Sequence, residues 1–418
     1  MHKPELLSPA GNFEKLKIAL AYGADAVYGG VSHFSLRLRS GKEFSYESFA
    51  EAVDYTHKLG KKIFVTINGF PFNAQIELLK KHIEKMAAMQ PDAFIVAAPG
   101  VVRLAQELAP QIPLHLSTQA NVLNYLDAQV FYDMGVKRIV AAREVSLKDL
   151  AQIKKMIPQL EIEAFVHGSM CFAYSGRCLI SSVQSGRVSN RGSCANDCRF
   201  PYTLYAQNEE SGTLFKIEED EAGTHIMNAK DLNLSGHLDE ILQSGVIDAL
   251  KIEGRTKSAY YAAITAKTYR QAIDEFATPH FETSKYVQEL ATTKNRGFND
   301  GYLVSKPYEK HGEQNLEHSI SEGTHQVCAQ VSEDGLTCLS KHLLSLHVKY
   351  ELVLPRKLDS SIDNATGTIS FEDGKWMIEF KKLCTTNNKF FDAVHSGNTN
   401  PIVLPCKLPA FTFLRMKI

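Results

Sequence analysis

The chain has 418 residues, with 46 Lys and Arg against 47 Asp and Glu, a formal net charge of −1. That length favours two or three domains, and the near-zero charge excludes a bulk polyanion binder, so any nucleic-acid surface must be a local patch. Hydrophobic residues at 44% allow a sizeable core. The most apolar stretches, such as 94–102, are short and interrupted by Pro99 and Gly100, and the charged Met1-His2-Lys3-Pro4-Glu5 start lacks the apolar core of a signal peptide. A cytoplasmic protein with no membrane span is expected.

Short apolar runs alternate with helical patterns. The expected strands are Glu5–Leu7, Ala26–Tyr28, Lys62–Ile67, Ala93–Ala97, Leu114–Leu116, Arg138–Ala141, Glu161–Val166 and Ala249–Ile252. Between them, Tyr46–Leu59 and Ile76–Met89 place apolar residues at helical spacing, as in Leu78, Leu79, Ile83 and Met86. Such alternation predicts parallel βαβ units, and eight units predict a (β/α)8 TIM-like barrel over 1–280, with a doubly wound sheet as the alternative. The rhythm breaks at Gly168 and resumes with the helix His237–Gln243, so 168–235 reads as a cysteine-rich insertion after the seventh strand. That end of a barrel strand faces the active site. A long helix, Ser258–Phe276, closes the barrel region. Residues 281–323 read as a linker. From 324 to 418, strand-like runs separated by turns such as Glu333-Asp334-Gly335 and Glu372-Asp373-Gly374 predict a small β-barrel-like domain.

Four of the eight cysteines, Cys171, Cys178, Cys194 and Cys198, fall in the insertion, while Cys328, Cys338, Cys384 and Cys406 stand apart. In a reducing compartment a cluster of thiols points to a metal or to catalysis rather than to disulfides. The Cys-x6-Cys-x15-Cys-x3-Cys spacing is neither a zinc ribbon nor a ferredoxin run, so zinc, an iron–sulfur cluster and redox thiols all stay open on spacing alone. Arg177, Arg187, Arg191 and Arg199 surround the thiols, with Asp197 opposing them. Cations favour thiolate and can hold phosphate or carboxylate groups.

Polar residues stand at the ends of the expected strands: Asn68, Ser117-Thr118-Gln119, Arg143-Glu144, His167, and Lys251, Glu253 and Arg255 in Lys-Ile-Glu-Gly-Arg, with Glu163 inside the seventh strand. Together they predict a polar pocket at one barrel face. No His-Glu-x-x-His, Gly-x-Ser-x-Gly, phosphate-binding Gly-x4-Gly-Lys or Gly-x-Gly-x-x-Gly motif is present. Zincin, serine hydrolase and nucleotide-binding readings therefore lack support.

The run Glu163-Ala-Phe-Val-His167-Gly-Ser-Met-Cys171, continuing through Gly176 and Cys178 to Ser181, resembles the signature of the collagenase-like peptidase family, the thirty-second family of peptidases of unassigned mechanism. The resemblance extends to Glu5–Gly11, Leu116–Asn121, Arg191–Cys194, Cys198-Arg199, Asn228–Leu232 and Leu250–Arg255. It implies an oxygen-independent hydroxylase with a 4Fe-4S cluster held by cysteines. Branches of such enzymes act on a tRNA wobble uridine, a ribosomal cytidine or an isoprenoid quinone precursor. A barrel with one small β domain is most similar to the tRNA branch, which implies tRNA as partner, 5-hydroxyuridine as product and prephenate as hydroxyl donor. Some relatives carry a ligand cysteine directly after the Lys-Asp-Leu motif, where this chain has Asn233.

On that resemblance Cys171, Cys178, Cys194 and Cys198 are the expected cluster ligands. Gln119, Arg177, Lys251, Glu253 and Arg255 are the expected binding groups for a small anionic donor, and Glu163 and His167 are the candidates for proton transfer. The competing expectations are a collagenase-like peptidase, with Cys171 as nucleophile and His167 as base, and a non-catalytic iron–sulfur RNA-binding or redox module.

Overall fold

The computed structural model describes the chain apart from residues 1–2, 32–33, 36–42, 172, 174, 186, 188–193, 201, 208, 213, 218–228 and 305–320. Eight strands form the barrel: β1 (Glu5–Pro9), β2 (Ala26–Gly29), β3 (Lys62–Ile67), β4 (Ala93–Val96), β5 (Leu114–Leu116), β6 (Arg138–Val140), β7 (Glu161–Ser169) and β8 (Ala249–Ile252). Each runs parallel to the next. Ala249 of β8 pairs with both Glu163 of β7 and Glu5 of β1, so the sheet closes and the doubly wound alternative is excluded.

The barrel helices are α1 (Phe13–Ala21), α2 (Tyr46–Lys58), α3 (Ile76–Ala88), α4 (Pro99–Leu108), α5 (Tyr125–Asp133), α6 (Leu147–Met156), α7 (Leu238–Ser244) and α8 (Ala259–Glu275). Their starts are written in the sequence. Asn12, Ser45, Asn124, Ser146 and Ser258 each accept a hydrogen bond from a first-turn backbone N–H, worth about 1 kcal/mol per cap. Pro99 opens α4, where a missing N–H costs nothing. β2 and β4 are buried along their whole length because helices cover them outside and the barrel core fills them inside.

Two departures from the expected pattern matter for the site. β7 runs three residues beyond Val166, to Ser169, and its register against β8 shifts there: Lys251 pairs with Phe165, but Ile252 pairs with His167. The extra residue, Val166, is a bulge, and a bulge resets the alternation of side chains between the two faces. Beyond it, a short strand at Asp231–Asn233 runs antiparallel to the end of β7, with Asn233 opposite His167.

The expected linker 281–323 contains an α-helix at Thr283–Leu290, with Tyr286 and Leu290 buried, and a short strand at Phe298–Asn299 that pairs with Asp231–Leu232. Up to residue 304 this segment packs on the barrel; residues 305–320 lie outside the described part. Within the insertion, Leu204–Gln207 and Leu214–Ile217 form a hairpin, whereas 218–224 is not described.

The C-terminal domain is an antiparallel sheet of eight strands from His325 to Lys417, with its own core around Cys328, Cys338, Tyr350, Ile378 and Phe380. It docks on the α1 and α8 side of the barrel. The Tyr22 hydroxyl donates to the Val353 and Phe411 carbonyls at 2.7 and 3.0 Å. Arg415 crosses the junction: its guanidinium pairs with both oxygens of Glu289 at 2.8 and 2.9 Å, with Glu351 at 2.6 Å and with the Tyr260 hydroxyl at 2.8 Å. Burial works against its charge, but these partners hold its pKa above the ordinary arginine value.

Removing one member of a buried charge set strands the others. Arg415→Met is therefore expected to lower unfolding stability by about 3 kcal/mol. Exposed Arg356→Met is expected to change it by less than about 0.5 kcal/mol. Denaturant unfolding of both variants measures the difference.

Candidate active site

A cavity of about 170 Å³ opens at the C-terminal ends of the barrel strands. Tyr28, Thr66, Ile95, Val140, Phe165 and Lys251 line it from β2, β3, β4, β6, β7 and β8, while Asn68, Ser117 and Gln119 come from the loops after β3 and β5. This is the end of a barrel at which loop residues converge to do chemistry. The insertion closes the other side with Cys171, Cys178, Cys194, Cys198 and Arg199.

The cysteine loop is pinned to the barrel at defined points. The Ser175 amide donates to Glu144 at 2.9 Å, and Thr118 bonds the Ser175 hydroxyl at 3.4 Å. Gly176 adopts a φ of 74°, and a Cβ there would sit 2.3 Å from the Gln119 carbonyl oxygen, so only glycine fits this approach. On the far side, Arg199 donates to the Met170 carbonyl at 3.2 Å, and the Tyr202 hydroxyl donates to the Asp197 carbonyl at 2.7 Å. These bonds bring Cys194 and Cys198 to the same cavity as Cys171 and Cys178.

Burial pushes the Cys198 thiol up to about 11; Arg199 opposes the shift and the other three cysteines add to it. Burial thus disfavours the Cys198 thiolate, and a bound metal would supply the compensating positive charge. Among the described residues, no three His, Cys, Asp or Glu side chains gather closely enough for a single metal ion. Four thiols at one cavity are the donor set that a zinc ion or an iron–sulfur cluster takes. Asn233 does not line this cavity. It is buried behind β7, where its Oδ1 accepts from the Ser235 amide at 3.1 Å. Cys198 does line it.

Four cations share the cavity: Arg143, Arg199, Lys251 and Arg255. Arg255 donates to Ser35 at 2.8 Å and to Thr66 at 3.2 Å. Arg143 lies over the Phe165 ring at 4.2 Å, and neither its Nε nor that of Arg199 has a partner among the described residues. Lys251 is paired with Glu163, and its ammonium lies 4.4 Å from the Tyr28 ring centre. Burial lowers its pKa, against the pull of Glu163. Glu253 is the carboxylate that lines the cavity among the described residues.

The expected site residues divide accordingly. Gln119, Lys251, Glu253, Arg255 and the four cysteines meet at the cavity; Arg177 is exposed and off its wall. Glu163 and His167 do not reach it. Glu163 is fully buried one layer below, between Lys251 and Arg138, with Arg138 also bonded to Glu5 and Glu161. His167 is 1% exposed and packs against Tyr261, Tyr269 and Phe298 on the outer side of the barrel wall. Strand alternation from Glu163 through Phe165 aims His167 inward; the Val166 bulge turns it outward. Both were expected at the cavity for proton transfer; the structure places them beside it, Glu163 in an ion pair and His167 among aromatic rings. Arg143, expected in the polar pocket, and Arg199, expected in the basic cysteine loop, are both on the wall. Arg191 and Asn228 lie outside the described residues.

Burial lowers the His167 pKa to about 4, opposed by Asp231. Above the unfolded value of about 6.5 the ring is neutral in both states and pH has no effect through it. Below that value only the unfolded chain takes up the proton, so stability falls by roughly 3 kcal/mol as pH drops through 4. His167→Gln is expected to show a correspondingly shallower loss of unfolding free energy between pH 7 and 4. An unchanged slope would place a protonated His167 in the native state.

The chain is 58% identical over its whole length to the tRNA hydroxylation protein P of Helicobacter pylori, all of which is covered. It is 38% identical over 77% of its length to the tRNA hydroxylation protein P of Escherichia coli, covering 78% of that protein. A protein of Porphyromonas gingivalis named collagenase is 30% identical over 72% of the chain, with 74% of that protein covered. Peptidase family U32 matches residues 11–313. The chain belongs to peptidase family U32.

Proposed function

We propose that this protein hydroxylates RNA, converting the wobble uridine of tRNA to 5-hydroxyuridine without oxygen, with prephenate as hydroxyl donor. In this reading Cys171, Cys178, Cys194 and Cys198 hold a 4Fe-4S cluster. The observation that carries the proposal is one cavity lined at once by four thiols and four cations, at the end of a barrel where chemistry is done. The full-length likeness to a protein named for tRNA hydroxylation supports RNA as the substrate.

When bound, the cluster would supply one-electron redox chemistry. The rest falls to the chain. Arg143, Arg199 and Arg255 present guanidinium groups that can grip the donor's carboxylates. Ser35 and Thr66 hold Arg255 in place, and Glu163 holds Lys251. Tyr28, Ile95, Val140 and Phe165 give the cavity apolar walls that limit water. Glu253 takes the proton-transfer role, being the lining carboxylate. A wobble base lies in a single-stranded loop, so presenting it to the cavity costs less than opening a duplex.

The peptidase reading, favoured by the Porphyromonas gingivalis relative, needs a nucleophile beside a base. Cys171 faces the cavity, but His167 lies behind the barrel wall among aromatic rings.

The test is nucleoside analysis of tRNA from a strain lacking the gene, complemented with variants. The wild type is expected to restore 5-hydroxyuridine, and Cys194→Ala and Glu253→Gln to fail. Cys328→Ala, in the core of the C-terminal domain, is expected to succeed. No restoration by the wild type, or equal behaviour of the two cysteine variants, would overturn the proposal.

A further inference from the structure

We infer that a hairpin of the C-terminal domain, residues 383–391, grips the tRNA, with Lys382 and Lys389 on its phosphates and Phe390 stacked on an unpaired base; this rests on the reading of the protein as a tRNA-modifying enzyme. A formal net charge of −1 rules out a diffuse polyanion surface, so RNA has to meet a local patch. Residues 380–391, Phe-Lys-Lys-Leu-Cys-Thr-Thr-Asn-Asn-Lys-Phe-Phe, hold three lysines and no carboxylate. They lie outside residues 11–313, the region that matches peptidase family U32, so this surface is not part of the barrel chemistry common to the family.

The backbone decides which of these side chains face solvent. Leu383 pairs with Phe391 and Cys384 with Phe390 in a short antiparallel ladder. Leu383 and Thr385 are each 1% exposed and anchor the hairpin, Leu383 in the core of the domain. The Thr385 amide donates to the Lys389 carbonyl at 3.0 Å, and Asn388, with a φ of 58°, closes the turn. Alternate residues of a strand point to opposite faces, so Cys384 and Phe390 take the outer one. Phe390 is 66% exposed. Lys382, just before the hairpin, and Lys389, at its turn, are exposed as well.

Nearby lysines of this domain end in ion pairs: Lys349 with Glu372, Lys375 with Glu351, Lys381 with Asp363. Lys382 and Lys389 have no carboxylate partner among the described residues. Two uncompensated ammonium groups and an exposed ring match single-stranded RNA, in which every nucleotide brings a phosphate and a base face. A protein partner would have to bring carboxylates at two positions and an apolar pocket between them, whereas an unpaired stretch of RNA carries both features in its repeat. The ion pairs of Arg415 fix the domain on the barrel. A grip on one part of a tRNA therefore restrains how its anticodon loop meets the cavity.

The experiment measures binding of unmodified tRNA across a salt series, with protein purified without oxygen, alongside the 5-hydroxyuridine restored in the deletion strain. Lys382→Gln with Lys389→Gln is expected to weaken binding roughly 10-fold at about 0.1 M salt and to flatten the slope of log affinity against log salt by roughly 1.5. Phe390→Ala is expected to weaken binding roughly 10-fold at an unchanged slope. Lys382→Arg with Lys389→Arg keeps both charges and is expected to bind as the wild type does, which separates loss of charge from loss of folding. Lys58→Gln, exposed at the end of α2 away from the cavity, is expected to change neither affinity nor slope. Wild-type affinity in either the glutamine pair or Phe390→Ala would overturn the inference. A variant that binds tRNA normally but fails to restore 5-hydroxyuridine would overturn it too, and would assign the surface to a protein partner. A wild type that binds tRNA yet restores no 5-hydroxyuridine refutes the functional reading alone, and one that binds no tRNA refutes both.

Discussion

The ends of β7 and β8 approach so closely that residue 168 can only be glycine. Its φ is 112°, and a Cβ there would lie 2.3 Å from the Glu253 carbonyl oxygen. This contact follows directly on the Val166 bulge, and together they decide what each strand end does. Upstream, Glu163 and Phe165 face into the barrel. Downstream, His167 turns out to the helix side, and the chain leaves at Met170 to lay its cysteines over the mouth. The same approach aims Glu253 and Arg255 at the cavity. One steric constraint thus sets the position of the thiols, the lining carboxylate and one of the cations.

Beneath the cavity lies a second layer with a different task. Burial works against the charge on Arg138, yet Glu163, Glu5 and Glu161 hold its pKa above the ordinary value. Glu163 is shared between Arg138 and Lys251. A buried lysine without a partner would shed its proton, and Glu163 counteracts that tendency. The ladder from the barrel floor to the cavity thus keeps a cation at the base of the site, below the arginines of its wall. A cavity rich in positive charge suits both thiolates and an anionic ligand.

Much of the barrel was legible because both periodicities were clean. Lys62–Ile67, Leu114–Leu116 and Ala249–Ile252 have the expected ends, and caps such as Ser45 and Ser258 mark helix starts. Closure could not be read, since strand pattern is the same in open and closed sheets. The cysteine loop was recognisable as a site, but the partners that pin it are distant in sequence: Gly176 against Gln119, Ser175 on Glu144, Arg199 on Met170. His167 lies off the cavity for a local reason, because period-two reasoning has no means of foreseeing a one-residue bulge. Residues 281–304 read as a polar linker because their helix is only eight residues long, with two fully buried apolar anchors, Tyr286 and Leu290, and other contacts, such as Arg296 with Asp231, are ion pairs.

The iron–sulfur cluster proposed for the four cysteines around the barrel-mouth cavity has a direct chemical signature. Metal and acid-labile sulfide analysis of protein purified without oxygen tests it most directly. Iron and sulfide are expected in equal amounts, about four of each per chain, and are expected to be lost in Gly176→Ala, where the added methyl must push the cysteine loop off Gln119. Active wild-type protein holding zinc, or no metal at all, would contradict it.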